Sequence, residues 1–274
     1  MNKYGFFGVG NMASAIIKGM LKNGVTTPDN IFFFDINDEM KKKAVDNFKI
    51  NCVSSGEDLI KKSDFIFFAI KPQYMAQSLD DNAEYFKNDS SKANKVLVSV
   101  VASFPIEKFE NKLGKNQKII RTMPNVNAEV LESMTALCRN KNVTDKEYDT
   151  IKKLFNAIGN TVDMEEKLFP EFAAIAASSP AFTYLYIEAI ADAALKAGIN
   201  KQVALKIVAQ SVLGSSKMLL ESSEHPGALQ DKVCSPGGTT IAGMAKLSEL
   251  GFHNSIVKAI DAVMEKDRLN AKKD

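Results

Sequence analysis

Up to about residue 163, short apolar runs alternate with stretches in which apolar residues recur every three or four positions. The runs, at 4–9, 31–34, 65–70, 96–101 and 119–121, predict strands, whereas 12–21, 38–48, 73–85 and 106–113 carry helical spacing. A run such as FIFFAI (65–70) has no polar alternation, which suits a strand buried on both faces of a parallel sheet layered with helices. Residues 1–163 therefore predict an α/β domain built on a doubly wound sheet.

Beyond that point the strand patterns stop. Residues 164–274 read as Ala-rich helices over 172–197, 201–221, 241–250 and 255–269. So much alanine with few large side chains suits close helix packing, within one chain or between two. The expected second domain, 164–274, is all-helical and dimerises. The Lys-rich end EKDRLNAKKD reads as a solvated helix end that frays.

Composition narrows the partners. With 274 residues, 45% hydrophobic, 25% charged and a net charge of +2, the chain has the profile of a soluble protein, with no basic footprint for nucleic acid or an anionic membrane. The longest uncharged apolar-leaning stretch, 172–187, contains Ser178, Ser179 and Pro180 and is too short and too polar to span a bilayer. The opening residues carry no leader pattern. Cys52, Cys138 and Cys234 lie far apart, which suggests neither a zinc site nor a disulfide framework. A cytoplasmic protein with reduced thiols and no metal is expected.

Two stretches carry candidate chemistry. YGFFGVGNMA sets Gly8, Gly10 and Ala13 in a G-x-G-x-x-A array between a strand and a helix, the fingerprint of a Rossmann-like dinucleotide site. Gly8 permits the tight turn, Gly10 lets the backbone approach a pyrophosphate, and Ala13 lets helix and strand pack closely. Phe7, Val9, Asn11 and Met12 complete that turn. Asp35 ends the next strand, where a carboxylate accepts hydrogen bonds from an adenosine ribose and repels a 2′-phosphate; Asn37 follows it. Lys41, Lys42 and Lys43 can counter that charge or simply form a solvated face, so the expected cofactor is NADPH or NADH. Ile70, Lys71 and Pro72 of AIKPQ stand at the same C-terminal strand edge, where ligands of open α/β sheets gather.

The second stretch is CSPGGTTIAG (234–243). Pro236, Gly237 and Gly238 make a poor helix interior and a good turn into a helix that begins near Thr239. The free N–H groups and dipole of a helix start attract a small carboxylate, which Gly237 and Gly238 allow to approach the backbone and which Ser235, Thr239 and Thr240 can meet with hydroxyls. A capped helix with a flexible lead-in is the alternative that the residues alone leave open.

EHPGALQDKVCSPGGTTIAG (224–243) resembles the signature of the pyrroline-5-carboxylate reductases, and FFGVGNMASAIIKG, AIKPQ, RTMPN and ASSPAFTYLYIEAIADAALKAG resemble that family in matching order over nearly the whole chain. The resemblance implies hydride transfer from NAD(P)H to the imine carbon of 1-pyrroline-5-carboxylate, giving L-proline in proline biosynthesis. A cyclic iminium is already electrophilic, so the enzyme needs mainly positioning and modest proton management. The resemblance further implies a substrate carboxylate on the amides of Gly238, Thr239 and Thr240, with Thr240 as the catalytic hydroxyl near the ring nitrogen. It implies Glu165 near the ring, Ser178 and Ser179 at the pocket floor, and interlocked helical domains that form a homodimer or a ring of dimers such as a decamer. Two departures stand out. MPNVN (123–127) replaces the MPNTP of many members and leaves the role of Asn125 open, and Asp35 stands where NADP-preferring relatives often carry a short polar residue, which favours NAD.

Two other readings compete. A β-hydroxyacid dehydrogenase needs a lysine one helical turn from an asparagine; Lys196 and Asn200 have the spacing, but Gly198 between them should end the helix. A noncatalytic NAD(H) sensor that signals by dimerisation has no use for an anion-ready turn at Gly237 and Gly238. Histidine chemistry is poorly supported, since His225 and His253 read as loop or helix-start residues.

Overall fold

The computed structural model describes residues 1–87, 95–102 and 104–271. It divides into two compact units, Met1–Ala177 with the chain from Asp267 onward, and Ser178–Lys266. The tail reading reaches into 272–274, which lie outside the described residues.

The first unit is Rossmann-like. Its strands are β1 (Tyr4–Phe7), β2 (Ile31–Phe34), β3 (Asn51–Cys52), β4 (Phe65–Phe68), β5 (Val96–Ser99), β6 (Lys118–Met123), β7 (Ser133–Arg139) and β8 (Gly159–Asp163). They form one sheet in the order β3-β2-β1-β4-β5-β6-β7-β8, parallel throughout except for the β6–β7 pair. The helices are α1 (Asn11–Lys22), α2 (Asp38–Phe48), α3 (Gly56–Lys62), α4 (Met75–Lys87), α5 (Ile106–Leu113) and α6 (Asp145–Asn156). Neighbouring residues along a strand face opposite sides, so Phe6 and Phe67 join Ile16, Ile17, Met20 and Phe155 in one layer. Phe7 and Phe68 join Leu59, Leu79 and Phe109 in the other. Apolar residues without alternation thus produce a sheet covered on both faces.

The apolar runs overshoot β1, β4 and β5, because Gly8–Val9, Ala69–Ile70 and Val100–Val101 leave the sheet as loops over its C-terminal edge. Patterning misses β3, β7, β8, α3 and α6. β7 breaks its apolar positions with Ser133, Thr135 and Arg139, β8 reads GNTVD, and the residues of β8 are only half-buried or exposed. α6 does announce itself through a capping box, in which Thr144 accepts from the Glu147 amide while Glu147 reaches back to the Thr144 amide.

Residues 164–177 pack with the sheet unit. The short helix α7 (Phe169–Phe172) buries Phe169 and Phe172 with Met123 and Ala136 of β6 and β7, which is why the compact units part later than the strand pattern ends. The helix expected over 172–197 is in fact α7, a π-helical turn at Ala173–Ala177, and α8 (Ser179–Lys196). Pro180 lies in the first turn of α8, where a missing N–H costs nothing, so it starts a helix instead of kinking one.

The second unit is helical: most of α8 is followed by α9 (Lys201–Ser222), α10 (Pro226–Val233), α11 (Thr239–Glu249) and α12 (Phe252–Ala271), whose last residues belong to the first unit. Patterning misses α10, whose N-cap is His225 with Pro226 in the first turn. Among the described residues of this unit only Ala191, Ala204 and Val208 are buried apolar side chains besides Pro180. Leu185, Ile207, Leu213 and Leu220 are exposed.

Candidate active site

β1, β2 and β4 are adjacent and parallel, and their C-terminal ends open one cleft of about 790 Å³. Gly8 leaves β1 with a φ of +88°, and a Cβ there would meet the Ala69 carbonyl oxygen at 2.9 Å. Only glycine suits both demands. Gly10 caps α1 with no side-chain hydrogen bond, no acid in the first turn, and open space where its Cβ would stand. A bare helix start beside a cleft at the point where strand order reverses fits a dinucleotide pyrophosphate.

Of the residues expected at the cofactor, Phe7, Gly8, Gly10, Asn11, Met12, Asp35, Asn37, Ile70 and Lys71 line the cleft. Val9 does not: its side chain is buried, and its amide donates to Asp35 Oδ2 at 2.9 Å. Pro72 is also absent from the lining and begins a short 3-10 turn. Ile36 in the loop after β2, Met40 of α2, Tyr74 in the turn before α4, and Gln77, Ser78, Asp81 and Asn82 of α4 also line the wall, none of them expected from patterning. Asp35 Oδ1 accepts from the Asn37 amide at 2.9 Å, so the carboxylate clamps the glycine turn to the β2 loop as well as facing the cleft.

At the second stretch, Gly237 has a φ of +67° and the Gly238 amide donates to the Ser235 carbonyl at 3.0 Å. Gly238 caps α11 with no side-chain bond, and the first turn holds no acid. The turn itself gives a further reason for glycine at 238, since a Cβ would meet Ser235 Oγ at 2.3 Å and the Ser235 carbonyl oxygen at 3.0 Å. Thr239 and Thr240 are exposed in the first turn.

Glu165 lines a separate depression with Cys138, Arg139, Tyr148, Asp163 and Glu166, sharing no residue with the dinucleotide cleft. It is largely exposed and pairs with Lys167 at 2.6 Å. Its neighbour Glu166 is the structurally committed acid, accepting from buried Arg121 and from the Ile106 amide, each at 2.8 Å, while the Arg121 guanidinium lies 4.7 Å from the Phe169 ring centre. Burial, with the nearby Glu166 charge, pushes the Cys138 thiol up to about 12. Burial would raise Asp163, but hydrogen bonds from Lys152 and Tyr148 outweigh it and hold the carboxyl below its ordinary value. Ser179 opens α8, and its carbonyl accepts from the Thr183 hydroxyl at 3.1 Å. Asn125 is buried, and its Nδ2 donates at 2.9 Å to the Ala176 carbonyl in the π-helical turn, where a widened turn leaves a carbonyl to satisfy. Lys196 and Asn200 fall on different helices. α8 ends at Lys196 and Asn200 caps α9.

The sequence is 37% identical over 264 residues to the pyrroline-5-carboxylate reductase of Escherichia coli (strain K12), spanning 96% of each chain. The chain belongs to the pyrroline-5-carboxylate reductase family. Two solved members have the same architecture. The 1-pyrroline-5-carboxylate reductase of Streptococcus pyogenes is 38% identical with a TM-score of 0.85, covering 97% of this chain and 98% of that one. The pyrroline carboxylate reductase of Plasmodium falciparum, solved with NADP bound, is 30% identical with a TM-score of 0.86, covering 98% and 97%. The family described as pyrroline-5-carboxylate reductase dimerisation matches residues 166–269, and the one described as NADP oxidoreductase, coenzyme F420-dependent, matches 3–103.

The exposed apolar residues of α8 and α9 in this family member lie within the dimerisation match. α9 is the one helix among the described residues long and apolar enough, by length and composition, to cross a membrane, and the segment earlier judged on that score, 172–187, is instead split between elements. Val203, Ile207, Leu213 and Leu220 of α9 are exposed in the single chain, and a self-associating helical unit has reason to carry them.

Proposed function

We propose that the protein reduces 1-pyrroline-5-carboxylate to L-proline, as a cytoplasmic enzyme of proline biosynthesis that works as a homodimer or a ring of dimers such as a decamer. Bound NAD(P)H supplies a hydride to the imine carbon, and a proton joins the ring nitrogen. The glycine turn from Gly8 to Met12 receives the pyrophosphate on the α1 amides, Asp35 and Asn37 face the adenosine ribose, and Ile70 and Lys71 orient the remainder. Residues from 164 onward form the substrate-binding and dimerising half. There the amides of Thr239 and Thr240 receive the substrate carboxylate, while the Gly238 amide, expected to join them, is committed to the Ser235 carbonyl and fixes the turn that presents them. The Thr240 hydroxyl hydrogen-bonds the ring nitrogen as it becomes an amine, Glu165 balances cationic charge on the ring, and Ser179 contributes to the pocket floor. A second copy covers the apolar helical faces, since Lys206 and Lys217 interrupt α9 at positions that lipid would disfavour.

The observation that carries this reading is the bare start of α11, a helix beginning after a left-handed Gly237 with no capping side chain and no acid, in a member of this family. Side chains cap α2, α3, α6, α9 and α10. Following reduced-nicotinamide absorbance with pyrroline-5-carboxylate tests the activity, and no turnover with either dinucleotide overturns it. Thr240→Ala should lower kcat/KM by about 10- to 100-fold while leaving nucleotide affinity unchanged. Wild-type kinetics in that variant would remove Thr240 from the mechanism.

A further inference from the structure

We propose that the ribose end of the dinucleotide cleft is built to refuse a 2′-phosphate, so that this protein uses NADH in preference to NADPH. The proposal rests on assigning that cleft to a nicotinamide dinucleotide. A 2′-phosphate adds negative charge and needs donors, whereas an unmodified ribose presents hydroxyls that can themselves donate. The place where the phosphate would lie offers it little.

Asp35 lines the cleft at the end of β2, and its carboxylate is held by the Val9 and Asn37 amides, both at 2.9 Å. A carboxylate fixed at both oxygens has little freedom to swing away from an incoming anion. The start of α2 would otherwise attract a phosphate, but the Asn37 side chain already takes two of its amides. Asn37 Oδ1 accepts from Glu39 N at 2.9 Å and from Met40 N at 3.1 Å. The same first turn carries Asp38 and Glu39, which add two more negative groups.

The lysine run does not reverse this. Lys41 pairs with Asp38 at 2.8 Å and Lys43 with Glu39 at 2.6 Å, and none of Lys41, Lys42 and Lys43 lines the cleft. The lining cation is Lys71, which follows β4. β1 separates β4 from β2, so the two strand ends are about 10 Å apart at ordinary sheet spacing, close to the screening length of physiological salt. Each feature that could welcome the extra phosphate is thus already satisfied or distant.

Calorimetric titration of the intact protein with NADH and with NADPH tests this without relying on turnover. The expected result is at least about tenfold tighter binding of NADH at low salt, with the gap narrowing as salt screens the carboxylates. Equal or tighter NADPH binding overturns the proposal. Binding of neither dinucleotide overturns the cleft assignment and this inference with it, whereas binding without turnover of pyrroline-5-carboxylate overturns only the proposed activity. Two variants guard against misfolding: Asp35→Ser removes the fixed charge, and the pair Asp38→Asn with Glu39→Gln leaves Asp35 in place and releases Lys41 and Lys43. Each should lower the NADH-to-NADPH affinity ratio by about threefold or more. An unchanged ratio in folded samples of both overturns the account.

Discussion

The sheet unit and the helical unit solve the problem of burying apolar surface in opposite ways. In the first, Phe6, Phe33, Phe67, Phe68, Phe109 and Phe155 are fully buried between sheet and helices. In the second, the large side chains Leu185, Leu213, Leu220 and Leu250 are exposed, and the buried side chains among the described residues are Pro180, Ala191, Ala204 and Val208. A unit that hides its aromatic residues can stand alone, but one that exposes its leucines is completed by association. The family match to dimerisation over 166–269 falls on the second kind.

The contrast breaks most visibly if association is removed. Leu185→Asp together with Leu213→Asp places charges on exposed apolar positions of α8 and α9. If both leucines are buried between copies, four side chains per dimer lose about 1.5–3 kcal/mol each, or about 6 kcal/mol or more in total. Light scattering should then report a smaller species than the self-associated wild type, down to a monomer, with activity lost. A matched charge at Val45→Glu, also exposed but on α2 of the sheet unit, should leave the assembly intact. A dimer that survives both leucine substitutions would mean that the exposed helical faces are not its interface.

A change within the sheet core should come next in size. Phe67 is fully buried, with its ring 4.6 Å from Phe6 and stacked on it. Phe67→Ala should cost about 3–5 kcal/mol, through lost burial and the cavity left in a layer that cannot close around it. Denaturant unfolding checks this, and a loss under about 1 kcal/mol would show the core to be less tightly packed than its geometry implies.

The same division explains what was legible in the sequence. Strands β1, β2, β4 and β5 announce themselves because a doubly covered strand must be apolar at every position, as FIFF in β4 is. β8, reading GNTVD, is polar because no such burial applies, and its place is set by pairing with β7. The α6 capping box is a local signal, carried by Thr144 and Glu147 three residues apart. The glycine turn at Gly8 was readable because its chemistry is local. The clamp of Asp35 on Val9 was not, since it joins the loops that follow two different strands. Likewise Asn125 had no evident role until the fold brought it to the Ala176 carbonyl, and the π-helical turn that exposes that carbonyl has no periodic signature.

The smallest expected effect sharpens the comparison most, because it asks whether the sheet unit keeps its core when association is lost. Burial first, and the Glu166 charge second, push the Cys138 thiol up to about 12 from an ordinary value of 9.0. The folded state therefore favours the neutral thiol. The associated stability is fully present below about pH 9 and is lost as pH rises toward about 12, because the unfolded chain ionises first. Near neutral pH the readout is reactivity, since only the thiolate attacks. At about pH 8 a rise of that size leaves about a thousandfold less thiolate than an ordinary thiol has, so Cys138 should label far more slowly than exposed Cys52. If the sheet unit is self-sufficient, this protection should persist in the Leu185→Asp, Leu213→Asp monomer. Mass spectrometry of the labelled chain reads both sites at once. Rapid modification of Cys138 in that monomer would mean that the sheet loosens together with the dimer, and that its buried phenylalanines do not hold it alone.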